Sequence, residues 1–408
     1  MKKILRNTKR AVGPIISTIL FVTLIFLNQV KATSINNEVF SNDLNIESKS
    51  NIQTDERALY PNIPEIGGKS FYIKNMLTGQ YLDVSGGVAS NGTNVWQYKY
   101  NGTASQQWYI HSYGDGTYSI YTPVGNDGTY KYALDINGGS GDNYANVQIW
   151  EINGSDAQRF SIGLTNYSTY AIFSKCSNYE KAIVVNGPTC DEGRNIDQYT
   201  FQGHTNETWI LEPVNRNIDF GNAYATANYQ QYMPAYPDLT NFNNSTADCA
   251  NFASQCLLAS GVHYDGDWKI YRKNLNVYQP VNAQELDNTW ELCQPRTSPW
   301  VSAKEFGDYW RTKTTPEAYK VDYILEHPDE IFSKAYYTGD IIQVAVNRLG
   351  FLAESEHTMY VSGYNSYNGH QSFALTYHSN SALNKNLLQI CQEYKNAGKN
   401  PYMVFFSI

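Results

Sequence analysis

Charge is scarce in this 408-residue sequence: Asp, Glu, Lys and Arg make up 17 % of it, and the formal net charge is −8. Beyond the N-terminus no long basic stretch occurs, which argues against nucleic acid as a partner. Cysteine is scarce too. Cys176, Cys190, Cys249, Cys256, Cys293 and Cys391 are too few for a disulfide scaffold, although Cys176 and Cys190 lie close enough in sequence to pair. No metal-ligand spacing links the histidines, and Cys249 and Cys256 are a helical seven apart, so neither a metal nor a cofactor is expected. What is plentiful is aromatic: 34 Tyr and 8 Trp. That texture suits extracellular β-domains and sugar-binding surfaces, in a chain long enough for two or three separate cores.

"MKKILRNTKR" carries five basic residues, and residues 11–27 follow as 17 uncharged, mostly apolar ones. Val30 and Ala32 then occupy small-residue positions. The pattern predicts a secretory signal cleaved after Ala32, hence a secreted, extracellular or cell-wall-associated protein with no stable membrane insertion after cleavage. A retained anchor is the competing reading; the run is short for spanning and contains Gly13 and Pro14. Residues 33–66, Asn/Ser-rich and acidic, read as a flexible linker or pro-segment.

From residue 67 three segments align: "YLDVSGGVASNGTNVWQYKYNGTASQQW" (81–108), "ALDINGGSGDNYANVQIWEINGSDAQRF" (133–160) and "AIVVNGPTCDEGRNIDQYTFQGHTNETW" (182–209), at offsets of 52 and 49 residues. Each alternates short β-runs with Gly/Asn turns, and no helical period intervenes. The units end in Gln106-Gln107-Trp108, Gln158-Arg159-Phe160 and Glu207-Thr208-Trp209. Three such units resemble the ricin-type β-trefoil lectin domain over residues 67–213. The resemblance implies a glycan partner, bound by Asp83, Tyr98 and Gln106 in the first unit and by Asp135, Gln148, Trp150 and Gln158 in the second. Trp96 stands where a second polar residue is usual. In the third unit Val184 and Glu207 replace the Asp and the Gln, which implies a dead site. Trp108, Phe160 and Trp209 are expected in the core.

After residue 214 the texture changes. Residues 222–233 are compatible with a helix. A second helix is expected from near Asp248 to Gly261, capped by Ser245 or Thr246. Cys249, Phe252, Cys256 and Leu257 share its apolar face, so Cys249 could be core. Its first-turn position argues otherwise, because the helix dipole and free N–H groups favour a thiolate there. Strands are expected at 338–346, 356–364 and 371–380, the last with Ser372, Ala374, Thr376, His378 and Asn380 on one face.

"DCANFASQCLLASG" (248–261), "TGDIIQ" (338–343), "HTMYVSGY" (357–364) and "YHSN" (377–380) together resemble the putative amidase domain of secreted bacterial proteins, within the papain-like cell-wall hydrolases. The resemblance covers residues 214–408. It implies Cys249 as nucleophile, His357 as its base, and His378, with Asn380 in reserve, as the group that orients the imidazole. Tyr236 is a candidate oxyanion hydroxyl beside the Cys249 backbone N–H, and Asp340 reads as a turn residue. The expected fold is multidomain: a signal peptide (1–32), a linker (33–66), an all-β trefoil of three repeats, then an α+β papain-like cysteine hydrolase domain. The expected function is a secreted carbohydrate-binding cysteine amidase or peptidase acting on peptidoglycan. The alternatives are a lectin with an inactive C-terminal binding domain and a cysteine protease acting on glycoproteins.

Overall fold

The computed structural model describes residues 64–408 apart from 167, 245–247, 278, 294–297 and 347–353. The expected signal peptide, nearly all of the expected linker, and the candidate caps Ser245 and Thr246 lie outside the described residues.

The N-terminal part is a β-trefoil-like lectin fold. Its first six strands are β1 (Lys69–Asn75), β2 (Tyr81–Val84), β3 (Thr93–Tyr98), β4 (Gln107–Ser112), β5 (Tyr118–Thr122) and β6 (Tyr132–Ile136). The next six are β7 (Val147–Glu151), β8 (Phe160–Asn166), β9 (Thr169–Ser174), β10 (Lys181–Val185), β11 (Arg194–Thr200) and β12 (Trp209–Pro213). All twelve join one sheet system, antiparallel throughout. Alternation sends Leu82, Val84, Leu134, Ile136, Ile183 and Val185 into one core with Trp108, Phe160 and Trp209. The indole N–H of Trp108 donates to Leu82 O (3.0 Å) and that of Trp209 to Ile183 O (3.2 Å). Trimming such a ring to Ala costs roughly 3–5 kcal/mol. After β2 and β6 the chain turns through Gly86 (φ 62°) and Gly138 (φ 66°), a left-handed backbone that a Cβ would strain.

The C-terminal part is mixed α/β. Helix α1 (Ile218–Asn228) is capped by Asn217, whose side chain accepts from Asp219 N. Helix α2 (Cys249–Ala259) is buried along its whole length. There follow β13 (Ile270–Arg272), α3 (Ala283–Thr289), β14 (Trp290–Leu292), α4 (Ala303–Lys313), β15 (Glu317–Lys320), α5 (Val321–Glu326) and α6 (Pro328–Phe332). The chain ends in β16 (Ile341–Val346), β17 (Glu354–Tyr367), β18 (His370–Tyr377), β19 (Ala382–Asn386), α7 (Leu387–Asn396) and β20 (Tyr402–Phe406). Six strands form an antiparallel sheet in the order β15-β20-β16-β17-β18-β19. One face carries Ile341, Ala345 and Tyr360 into a core shared with Phe252 and Leu257 of α2. The other carries Ile342, Val344, Met359 and Leu375 onto Leu387, Ile390 and Cys391 of α7.

A buried polar network joins the two parts. Lys74 on β1 reaches Glu212 Oε1 (3.1 Å) and the hydroxyls of Tyr236 and Tyr264 (3.0 Å each), and Tyr81 donates to Glu212 Oε2 (2.7 Å). Lys74 and Glu212 are both about 1 % exposed.

Three expectations change. Residues 338–340 form a turn before β16, with Asp340 accepting from Tyr337 N and Ile408 N, in keeping with a structural role for Asp340. The strand expected to reach residue 380 ends at Tyr377, because Ser379 (φ 63°) and Asn380 (φ 73°) are left-handed and break the alternation. Cys176 and Cys190 are not paired: all six cysteines are free.

Candidate functional site

Cys249 is the first residue of α2, and Asp248 is its N-cap by backbone position. The Asp248 carboxylate does not cap the helix. It accepts from Leu239 N (3.1 Å), Asn251 Nδ2 (2.8 Å) and His378 Nδ1 (2.6 Å) instead. Cys249 is 4 % exposed. Burial pushes its thiol up to about 11, opposed by the nearby Thr358 backbone N–H and hydroxyl and reinforced by the Asp248 charge. The thiolate expected at the helix start is therefore not the resting form: desolvation outweighs the dipole. Thr358 carried no signal of its own in the sequence. It follows His357 on β17, so alternation aims it at the opposite face of the sheet, toward α2. There Gln343 Nε2 donates to its hydroxyl (2.8 Å), and Gln343 in turn accepts from Ser355 (2.5 Å).

A cavity of about 510 Å³ opens beside Cys249, lined also by His357, Tyr377, Ser379 and Asn380. Its far wall is α7 and the chain after it, with Glu393 bonded to Lys385 (2.7 Å). His357 pairs with Val344 across the sheet and meets the Tyr377 ring edge-on at 4.8 Å. Burial alone lowers its imidazole to about 4. The cavity thus holds a neutral thiol and a neutral imidazole with a free lone pair.

Two expected roles must be corrected. His378 cannot orient His357, because both its ring nitrogens are taken: Nδ1 by Asp248 and Nε2 by Asn228 O (2.9 Å). Asn380, carried round by the left-handed turn, lines the cavity instead. Tyr236 is fully buried at the domain junction, its hydroxyl committed to Glu212 and Lys74, and is not among the cavity-lining residues.

In the three trefoil hairpins the register sets Asp83 opposite Trp96, Asp135 opposite Gln148, and Val184 opposite Asp197. Gln148 Nε2 donates to Asp135 (3.0 Å), and the indole N–H of Trp96 does the same to Asp83 (2.8 Å). Trp96 therefore supplies the donor that the repeat alignment counts as lost. Burial raises the pKa of both carboxylates. Gln106 and Gln158 are 0 % exposed and brace the loop, accepting from Asn101 N and Asn153 N; they face no solvent from which a sugar could approach. Glu207 keeps the accepting half of that role, from Gln202 N (2.8 Å). Trp150 is 38 % exposed, and Tyr98 is half-buried and stacked on Trp96. The third hairpin keeps a carboxylate, but on the other strand: Asp197, bonded to Asn186 and raised by burial to about 6.

Residues 62–130 and 123–199 match the family model of the ricin-type beta-trefoil lectin domain-like family, and residues 216–400 match that of the putative amidase domain. Among solved structures, the designed three-fold symmetric protein ThreeFoil is 30 % identical over 35 % of this chain and 96 % of its own, with a TM-score of 0.33. The exo-beta-1,3-galactanase 1,3Gal43A from Clostridium thermocellum is 28 % identical over 36 % of this chain and 30 % of its own, at 0.32. The Rhizoctonia solani agglutinin is 21 % identical over 36 % of this chain and 97 % of its own, at 0.31. No curated protein matches. A lectin-like carbohydrate-binding domain followed by a putative amidase domain supports, in general terms, a carbohydrate-binding hydrolase.

Proposed function

We propose that the chain is a secreted cysteine amidase or peptidase that its trefoil (67–213) holds on a glycan while a papain-like domain (214–408) cleaves amide bonds of peptidoglycan. The observation that carries this reading is Cys249, at the start of a buried helix, sharing one cavity with His357. Cell-wall location and substrate rest on the pairing of a sugar binder with an amide hydrolase, since peptidoglycan offers both sugars and peptide amides. The three-repeat reading draws support from Asn94, Asn146 and Asn195, which stand at the repeat offsets and close a ring of hydrogen bonds, each 2.9 Å.

Cys249 Sγ attacks the amide carbonyl carbon while its proton passes to His357, so thiolate forms only as the S–C bond does. The imidazolium returns that proton to the leaving nitrogen as the C–N bond breaks. Water then adds to the thioester, giving a proton to His357. The C–S bond breaks, the sulfur regains that proton, and the acid leaves. Asn380 is the polar group placed to meet substrate or imidazole, and the N–H of Cys249, free of an intrahelical acceptor in the first turn, serves the oxyanion. The test is mass analysis of products released from purified sacculi: wild type should release amide-cleavage products and Cys249→Ala none. The neutral thiol and imidazole favour one second reading, a C-terminal domain that binds without cleaving. Under that reading sacculi yield no products and Cys249 alkylates no faster than Cys256.

A further inference from the structure

His378 and Asp248 are left over from that chemistry, yet they touch the nucleophile's own helix. Both are buried, at 1 % and 0 % exposure. The His378 ring faces two acceptors. Asp248 Oδ2 lies 2.6 Å from Nδ1, and Asn228 O lies 2.9 Å from Nε2. A neutral imidazole has one N–H and would set its lone pair against one of them. Asp248 is raised by burial, but its Oδ1 accepts from Leu239 N and Asn251 Nδ2, and these two donors favour the ionised carboxylate. Three further features favour a cationic ring. Asn228 is the last residue of α1, whose terminal carbonyls form the negative end of the helix. Phe252 stacks on the ring at 4.1 Å. Tyr232, the remaining titratable group against it, lies at 4.8 Å and is held neutral by burial. The same segment is pinned a second time, since Asp248 N donates to Ser379 Oγ (2.9 Å).

We propose that His378 and Asp248 form a buried imidazolium–carboxylate clamp. It fastens the start of the Cys249 helix to the turn bearing Asn380 and cancels the negative charge next to the thiol. His378 is then a positioning residue. The proposal rests on the reading of Cys249 as nucleophile for its catalytic meaning, but its electrostatics can be read without turnover.

The experiment follows alkylation of Cys249 by iodoacetamide at pH 8, by peptide mass, in full-length wild type, His378→Gln, Asp248→Asn and the double variant. His378→Gln strands the carboxylate and should slow alkylation about tenfold. The double variant, with no carboxylate to cancel, should return to the wild-type rate or above. A double variant slower than His378→Gln, or a His378→Gln rate equal to wild type, overturns the clamp. Should the variants not fold, ¹⁵N NMR of wild type decides: both His378 ring nitrogens should carry protons at pH 8, and a single protonated nitrogen overturns it. Sacculus hydrolysis retained by Cys249→Ala would sink the nucleophile while leaving these outcomes readable.

Discussion

In the first two trefoil hairpins each acid finds its partner thirteen residues along the chain, Asp83 with Trp96 and Asp135 with Gln148. Beside Cys249 the corresponding pair, Asp248 and His378, closes across 130 residues. A hairpin brings its pair together with one short loop, whereas the second pair needs α1, α2 and β18 all in place before it forms. Chemistry carried by hairpins can be repeated, lost or re-sited one unit at a time, as Asp197 opposite Val184 illustrates. Chemistry carried by long closures stands or falls together.

The sharpest way to break this contrast is Cys249→Ala. It should lower amide hydrolysis by at least about a thousandfold while glycan affinity, measured by calorimetry, stays unchanged. A parallel loss of sugar binding would show that the two parts do not work independently. His357→Ala should cost roughly a hundredfold or more in kcat, and adding it to Cys249→Ala should cost nothing further, since nucleophile and base act as a unit.

The hairpins should respond in smaller, graded steps. Asp135→Asn removes a charged acceptor and should weaken glycan binding about tenfold to a hundredfold. Trp150→Ala should weaken it about tenfold, Tyr98→Ala less and Tyr199→Ala least, with hydrolysis of a sugar-free peptide amide unaltered. Titrating all variants with one soluble sugar checks the order; a dominant Tyr199 would make the re-sited Asp197 the main acceptor.

The smallest effect is expected from pH. Because burial holds His357 down to about 4, the ring stays an unprotonated base well below the usual imidazole range. With the thiol pushed up to about 11, kcat/KM should run flat from near pH 5 to near pH 10. Between pH 7 and 5 it should change less than about twofold, where an imidazole of ordinary pKa would cost over tenfold. The stability linkage has a definite sign: the folded imidazole lies below its unfolded value of about 6.5, so its contribution is present above that pH and is lost as pH falls toward 4. An acid limb centred at 6.5 would mean that His357 is more hydrated than its packing implies.

The pairing of Asp135 with Gln148 was legible in sequence because a fixed offset repeats the hairpins, and the aromatic core positions followed from the same alignment, whereas the bracing role of Gln106 and Gln158 was not. The donor role of Trp96 was not, since an indole N–H substituting for an amide is visible only once β2 and β3 are in register. Cys249 and His357 were legible as residue types in elements of the right kind. The exchange between His378 and Asn380 was hidden by strand periodicity: two left-handed residues end β18 early and send the two side chains to different surroundings. Tyr236 misled for a related reason, because distance in sequence from Cys249 says nothing of the Lys74–Glu212 pair that claims its hydroxyl.

That pair has a consequence for how the molecule would meet a polymer. The described residues 64–408 belong to one compact unit, and parting the trefoil from residues 214–408 would take from the buried Lys74 and Glu212 the hydroxyls of Tyr236 and Tyr264 that they hold across the junction. A flexible leash would let the cavity sweep every bond within its radius. Under the proposed function, a fixed joint would act as a caliper: with a sugar seated, only bonds at one span and one bearing from it would come into reach, and the spacing of the polymer itself would decide how often a cut could be made.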